Sequence, residues 1–297
     1  MRSLAEFIMR GRMQATLVVA GSAALPLLFW LSAAAGSLVV LRRGLSDAAG
    51  VLAWAALPAV AWWYFGDPRV LMVLGGSLAL AVVLRSQASW RWVLLGSVVL
   101  GLMYAWVLGI AFGEPIRALA DELRKVLPGA LSEAYQQLSA DEQERLGALL
   151  APVLTGLLAA LMQIVTLLCL MLGRYWQAAL YNPGGFGHEF RALRFTPLVA
   201  SGLLLCMLLG PSLGVGVAVL TPLCSVPLVF AALALMHGLV EQKRLGRFWL
   251  VGLYVGLLLF MQLIYPFLVV VALVDSLFDF RGRAPRKPGA GPADGEG

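Results

Sequence analysis

Apolar positions in this 297-residue chain run in long blocks, roughly 13–41, 47–65, 70–84, 90–112, 148–172, 195–210, 213–238 and 248–274. One bilayer crossing takes about 20 apolar residues. Backbone groups in lipid must be satisfied within the segment, so uninterrupted blocks read as helices. A β-barrel would show strands of roughly ten alternating residues, and these blocks are continuous Leu, Val and Ala runs instead. The pattern predicts an all-α, polytopic transmembrane helix bundle of about eight to ten membrane helices.

Blocks 13–41 and 248–274 exceed one span, and each holds a proline, Pro26 and Pro266. Proline breaks the helical ladder, so each long block is one tilted helix or a tight pair of short ones. Positive charge discriminates between the two. If both blocks turn back, the inner side holds Arg2, Arg10, Arg12, Arg42, Arg43, Arg85, Arg91, Arg174, Arg191, Arg194, Lys243, Arg244, Arg247, Arg281, Arg283, Arg286 and Lys287. The outer side then holds Arg69, Arg117, Arg124, Lys125 and Arg145, a split of 17 against 5. A single crossing of each long block gives 12 against 10. Hairpins with both termini cytoplasmic are therefore expected, and residues 1–112 form a first group of spans. The early arginines precede an uncleaved first span, because further spans follow. Trp62, Trp63, Tyr64, Trp90, Trp92, Tyr175, Trp176 and Trp249 flank blocks, where amphipathic rings favour the headgroup zone.

Composition narrows the class. The chain is 61% hydrophobic and 13% charged, with mean hydropathy +0.86, against roughly 25% charged residues in soluble domains. The net charge of +6 is spread singly and in pairs beside the blocks. That suits topology signals and lipid headgroups better than nucleic acid. Cys169, Cys206 and Cys224 lie inside blocks without CxxC spacing and read as packing residues.

Two regions interrupt the blocks. In 113–146, Gly113-Glu114-Pro115 reads as a helix start, Ile116, Leu119, Leu123 and Leu127 share one face, and Pro128-Gly129 reads as its end. Ser139 and Glu142 have capping-box spacing, so a new helix starts there and enters the next block. Seven acids against four bases suit an amphipathic extracytoplasmic connector, or a docking surface. The second C-terminal group of spans covers 147–280 and contains the cytoplasmic loop 174–194.

That loop is the densest polar and aromatic cluster in the chain. Asn182-Pro183-Gly184-Gly185 is a turn whose backbone N–H groups can face an anion. Arg174, Arg191 and Arg194, with Tyr181, Asn182, Gly184, Gly185 and His188, form the candidate site for an anion, a lipid or a partner protein. The plainer alternative is a topology signal touching headgroups. Residues 281–297 read as a disordered tail.

Catalytic patterns are missing. His188-Glu189 lacks the second histidine of HExxH, since position 192 is Ala192, and no GxSxG or P-loop occurs. His237 sits at a block end, four residues from Glu241, and reads as an interfacial histidine paired along its helix. No block centre carries Asp, Glu, Lys or Arg, which proton pumps and many coupled transporters need. The chain is expected to be no enzyme and to need no cofactor or metal. Gln14, Thr155, Gln163, Thr166 and Gln262 read as interhelical hydrogen-bonding groups. Gly252/Gly256 and Gly210/Gly214 are GxxxG pairs for close packing or a homo-oligomer.

Asp275 and Asp279, followed by Arg281 and Arg283, read as a helix end with local ion pairs, or as a dock for a soluble partner. Leu273-Val274-Asp275-Ser276-Leu277-Phe278-Asp279-Phe280-Arg281 resembles the C-terminal end of the YybS-like family of bacterial multi-pass membrane proteins, a family of unknown function. That family is in turn similar to the substrate-capturing S components of energy-coupling-factor vitamin transporters. The resemblance implies the bacterial cytoplasmic membrane and a transport-type protein, S-component-like, that binds a small solute. It transfers no ligand residue. The alternative is a membrane scaffold or assembly protein acting through its loops on other membrane or cytoplasmic proteins.

Overall fold

The computed structural model describes residues 2–243 and 245–282, and among them the chain is all-helical. The first half holds α1 (Arg2–Arg10), α2 (Arg12–Ala23), α3 (Phe29–Arg43), α4 (Leu45–Tyr64), α5 (Arg69–Gln87) and α6 (Trp90–Ala111). Then come α7 (Gly113–Gln136), α8 (Ala140–Tyr181), α9 (Gly185–Arg191), α10 (Pro197–Leu213), α11 (Leu220–Glu241), α12 (Phe248–Leu259) and α13 (Met261–Phe278). Among the described residues, seven helical segments are long and apolar enough to cross a membrane, and α10 and α12 are shorter apolar helices. The fold is the expected polytopic all-α bundle.

Both long blocks turn back. In the first, the chain leaves helix at Ala24–Leu25 and re-enters through a 3-10 turn at Pro26–Leu28. The Arg43 guanidinium donates to the Met9 carbonyl at 3.0 Å, and Arg12 pairs with Asp47 at 3.3 Å. The start of α2 and the end of α3 thus share one end of the bundle. At the opposite end, Trp62 Nε1 donates to the Ala24 carbonyl. In the last block, Tyr265 meets Ser225 near the start of α11, and Gln242, just past its end, donates to the Arg281 carbonyl. Helix α13 therefore runs parallel to α11, with α12 as the outgoing limb. Pro266 does not make this second break. It sits inside α13, and the chain turns six residues earlier at Phe260 (φ −129°, ψ 42°). Near a helix start, the proline removes a single ladder bond.

The connector follows its start and capping signals. Helix α7 begins at Gly113, and Ser139 caps α8, accepting from Glu142 N while Glu142 Oε2 accepts from Ser139 N at 2.8 Å. The expected stop at Pro128 is wrong, because α7 continues to Gln136. The carbonyl that loses its partner belongs to exposed Arg124, where water can take the bond. On its intended apolar face, Ile116 is buried, whereas Leu119 and Leu123 are exposed.

Helix α8 is the axis of the bundle and packs against α3, α5, α6 and α11. Small residues permit this. A Cβ on Gly173 would lie 2.7 Å from the Ala34 carbonyl oxygen and 2.9 Å from Ser37 Cβ. Polar bonds pin the register. The Tyr104 hydroxyl meets the Met72 carbonyl at 2.7 Å and Thr166 Oγ1 at 3.0 Å, and Gln163 Nε2 donates to Ser97 Oγ at 2.8 Å. Gln163 and Thr166 link helices as expected, whereas Thr155 bonds back to Ala151 of its own helix. Trp176 and Trp90 are both buried, because they face the helix packing. Cys169 and Cys224 are buried, while Cys206 lies on the bundle surface. Arg244 and most of the expected tail, residues 283–297, lie outside the described residues. Arg281 belongs to the fold and not to a tail.

Candidate functional site

The residues of the 174–194 loop form the end of α8, a turn and α9. Asn182 closes the turn, accepting from Gly185 N at 3.0 Å, and Gly184 takes φ +86°, a left-handed value that suits glycine. Tyr181 lies under the Arg42 guanidinium, 4.0 Å from ring centre to Cζ, which ties the loop to the end of α3. His188 is exposed on α9.

The three arginines do not converge on the turn. Arg174 forms a two-pronged pair with Glu189, whose carboxylate also accepts from Trp90 Nε1 at 3.2 Å. Arg194 pairs with Asp279 at 3.0 Å and donates to the Asp275 and Ser276 carbonyls. Arg191 stands 3.6 Å from Glu241. The reason is local supply: Glu189, Glu241, Asp275 and Asp279 lie beside these arginines and take up their guanidinium groups.

The C-terminal motif meets the same loop. Asp275 and Arg281 pair at 2.7 Å, with side chains only 4% and 11% exposed. Arg281 also donates to the Arg191 and Leu193 carbonyls at 2.7 and 2.8 Å. The local ion pair expected for Asp275 is present, and it also clasps α9 onto the end of α13. Phe280 N completes it by donating to Asp275 Oδ1.

Next to this polar clasp lies an apolar cavity of about 600 Å³ between α8, α11 and the α12/α13 hairpin. Its walls include Leu168, Met171, Val229, Phe230, Leu233 and Leu257, and Phe186 and Phe190 of α9 close its arginine-rich end. Tyr175, Phe186, Phe190, His237 and Tyr254 form a chain of ring contacts across that end. His237 takes the Tyr254 hydroxyl at 2.8 Å and not Glu241, because α12 places the phenol beside it while Glu241 faces Arg191. Helix α12 has no buried residue, so this wall is thinly packed. A second cleft of about 420 Å³ opens beside the first, lined by His188, Arg191, Arg194, Glu241, Asp279 and Arg281. Arg191 is in the lining of both.

No family model, curated protein or solved structure matches this chain. Its chemistry is therefore read from this geometry. An apolar chamber of this size falls in the ~300–1,000 Å³ range of small-molecule sites. It offers an imidazole and the Tyr254 hydroxyl at the arginine-rich end and the Tyr265 hydroxyl toward the other. Sequence patterning missed the chamber because its walls are ordinary Leu, Val and Phe positions of four separate helices. The available signal was Tyr254 and Tyr265 inside an otherwise apolar block, facing His237 and Ser225.

Proposed function

We propose that this is a transport-type membrane protein of the bacterial cytoplasmic membrane that takes a small, mostly apolar molecule into the chamber beside α12, without catalysing a reaction. The chamber carries the reading: it is apolar, reaches the thinly packed α12, and holds the His237–Tyr254 pair at its arginine-rich end. The resemblance of Leu273–Arg281 to the end of YybS-like proteins, a family in turn similar to S components, supports the same class. The arginine-rich end is cytoplasmic by the positive-inside rule.

Binding of an apolar fluorophore to the full chain in lipid nanodiscs tests the chamber. Leu233→Trp fills it and is expected to weaken binding at least about tenfold, since overfilling a packed site is costly. Leu258→Trp, on the exposed outer side of α12, is expected to leave binding unchanged. Equal binding by the two variants rules the chamber out. Cysteine labelling at Ser139 and His188 tests the orientation, with Ser139 expected to react with impermeant reagent in intact cells.

A second reading, assembly of a partner complex, has one observation of its own. Helix α7 and the start of α8 form an arm on which Leu119, Leu123 and Val126 are exposed. If the arm docks a partner, Leu119→Asp with Leu123→Asp removes that partner from a mild-detergent co-purification and leaves fluorophore binding intact.

A further inference from the structure

Resting on the chamber reading above, we propose that the occupant is an anionic membrane amphiphile, with its chain in the apolar chamber and its phosphate or carboxylate head on Arg191. The apolar chamber and the polar cleft are neighbours, and Arg191 lines both. One side chain is therefore reachable from an apolar space and from an ionic one. A wholly apolar molecule would have no use for the second space, and a free anion none for the first.

Arg191 also differs from the other cations of the cleft. Arg194 and Arg281 are each committed to a carboxylate at 3.0 Å or closer, and each donates to two backbone carbonyls. The described partner of the Arg191 side chain is Glu241 at 3.6 Å, beyond good hydrogen-bonding distance. The Glu241 side chain is 65% exposed, against 31% for Arg191. Glu241 can rotate into water at little cost, leaving the guanidinium held at the junction. A planar guanidinium then offers two parallel N–H donors to a phosphate or carboxylate. The Tyr254 hydroxyl and His237, hydrogen-bonded to each other in the same chamber lining, supply neutral polar contacts just below the head. The lipid bilayer is the source favoured here, because α12 gives the chamber little cover from the side where acyl chains lie.

The test is native mass spectrometry of the full-length protein, released from vesicles of phosphatidylcholine mixed with phosphatidylglycerol. One charge pair near a membrane surface is worth about a fivefold preference, so the wild type is expected to retain phosphatidylglycerol over phosphatidylcholine by about that factor. Arg191→Gln is expected to bring the two lipids to parity while total bound lipid persists. Glu241→Gln, which frees Arg191 without touching the chamber, is expected to raise the preference. An unchanged preference in both variants overturns the proposal. Displacement of the lipid by millimolar inorganic phosphate also overturns it, in favour of a soluble anion. Failure of the chamber itself looks different: Leu233→Trp would then bind as much lipid as the wild type.

Discussion

The two helical hairpins, α2/α3 near the N-terminus and α12/α13 near the C-terminus, answer one topological problem with opposite packing. Each is an overlong apolar block with a twelve-residue outgoing limb and a longer return. In the first, Ala15, Val19 and Ala23 of α2 are buried, and α3 buries an unbroken stretch from Ser32 to Leu41. Its Ala33-Ala34-Ala35-Gly36-Ser37 run lets α5 and α8 approach closely. In the second, α12 buries nothing and carries Phe248, Trp249 and Leu258 outward. Small side chains close the first hairpin onto the bundle, whereas α12 of the second lies against it with no residue buried. The first hairpin makes a solid interface, and the second borders a chamber.

The anchoring of the hairpins differs too, and this gives the largest expected effect. The end of α13 is held by the buried Asp275–Arg281 pair. Asp275→Ala leaves a buried guanidinium uncompensated and is expected to cost about 3–5 kcal/mol, read as a large fall in the unfolding midpoint in detergent. Replacing both residues with Leu should recover part of that loss, because the remaining charge is gone. If Asp275→Ala unfolds like the wild type, the clasp does not anchor the hairpin.

Packing gives the next effect. Gly173→Val drives two methyls into the Ala34 carbonyl and Ser37, with an expected cost of about 1–3 kcal/mol or failure to accumulate. Gly252→Val on α12 meets nothing within 4 Å and is expected to change stability by less than about 0.5 kcal/mol. Similar losses at both positions would abolish the contrast between the hairpins.

The ion pair at the α2 end of the first hairpin is exposed: the Arg12 and Asp47 side chains are 73% and 54% exposed. Asp47→Asn is expected to cost no more than about 0.5 kcal/mol, and less in high salt. A loss as large as that of Asp275→Ala would show that charge, and not shape, holds this hairpin.

The smallest effect is at the opposite end, in the turn between α4 and α5. The Arg69 side chain, hydrogen-bonded to Asp67 at 2.7 and 2.8 Å, holds the Asp67 carboxyl below its usual range. A depressed carboxyl stabilises the fold above its unfolded pKa of about 3.9, and that stability is lost as pH falls through the folded value. Comparing wild type and Asp67→Asn between pH 7 and pH 3 should show a gap of about 0.5 kcal/mol closing on the acid side. A gap that widens there would reverse the assignment.

The path of the chain was legible because it is written locally. Apolar blocks, the Ser139–Glu142 capping box and the asymmetry of Arg and Lys each act within a few turns of helix. Pro128 and Pro266 misled because a proline costs one ladder bond, which water or a helix start can absorb. The site was less legible for a different reason. Arg191 lies fifty residues from Glu241, and Arg194 lies 85 from Asp279, so the loop showed cations without their partners. Acids on the same end of two later helices were the available hint. The chamber left little polar signature beyond Tyr254 and Tyr265, since most of its walls use the same residues as the packed core.

Helix α8 has a mechanical consequence. At 42 residues and about 1.5 Å per residue it is roughly 63 Å long, about twice the ~30 Å hydrocarbon thickness. Its first turns lie beside α7, while Ile164, Leu168 and Met171 of the same rod form the chamber wall. A push on the arm therefore reaches that wall through one continuous hydrogen-bonded shaft, with no loop to dissipate it. The one compliant joint along the way is Pro152, where a missing ladder bond lets the shaft flex.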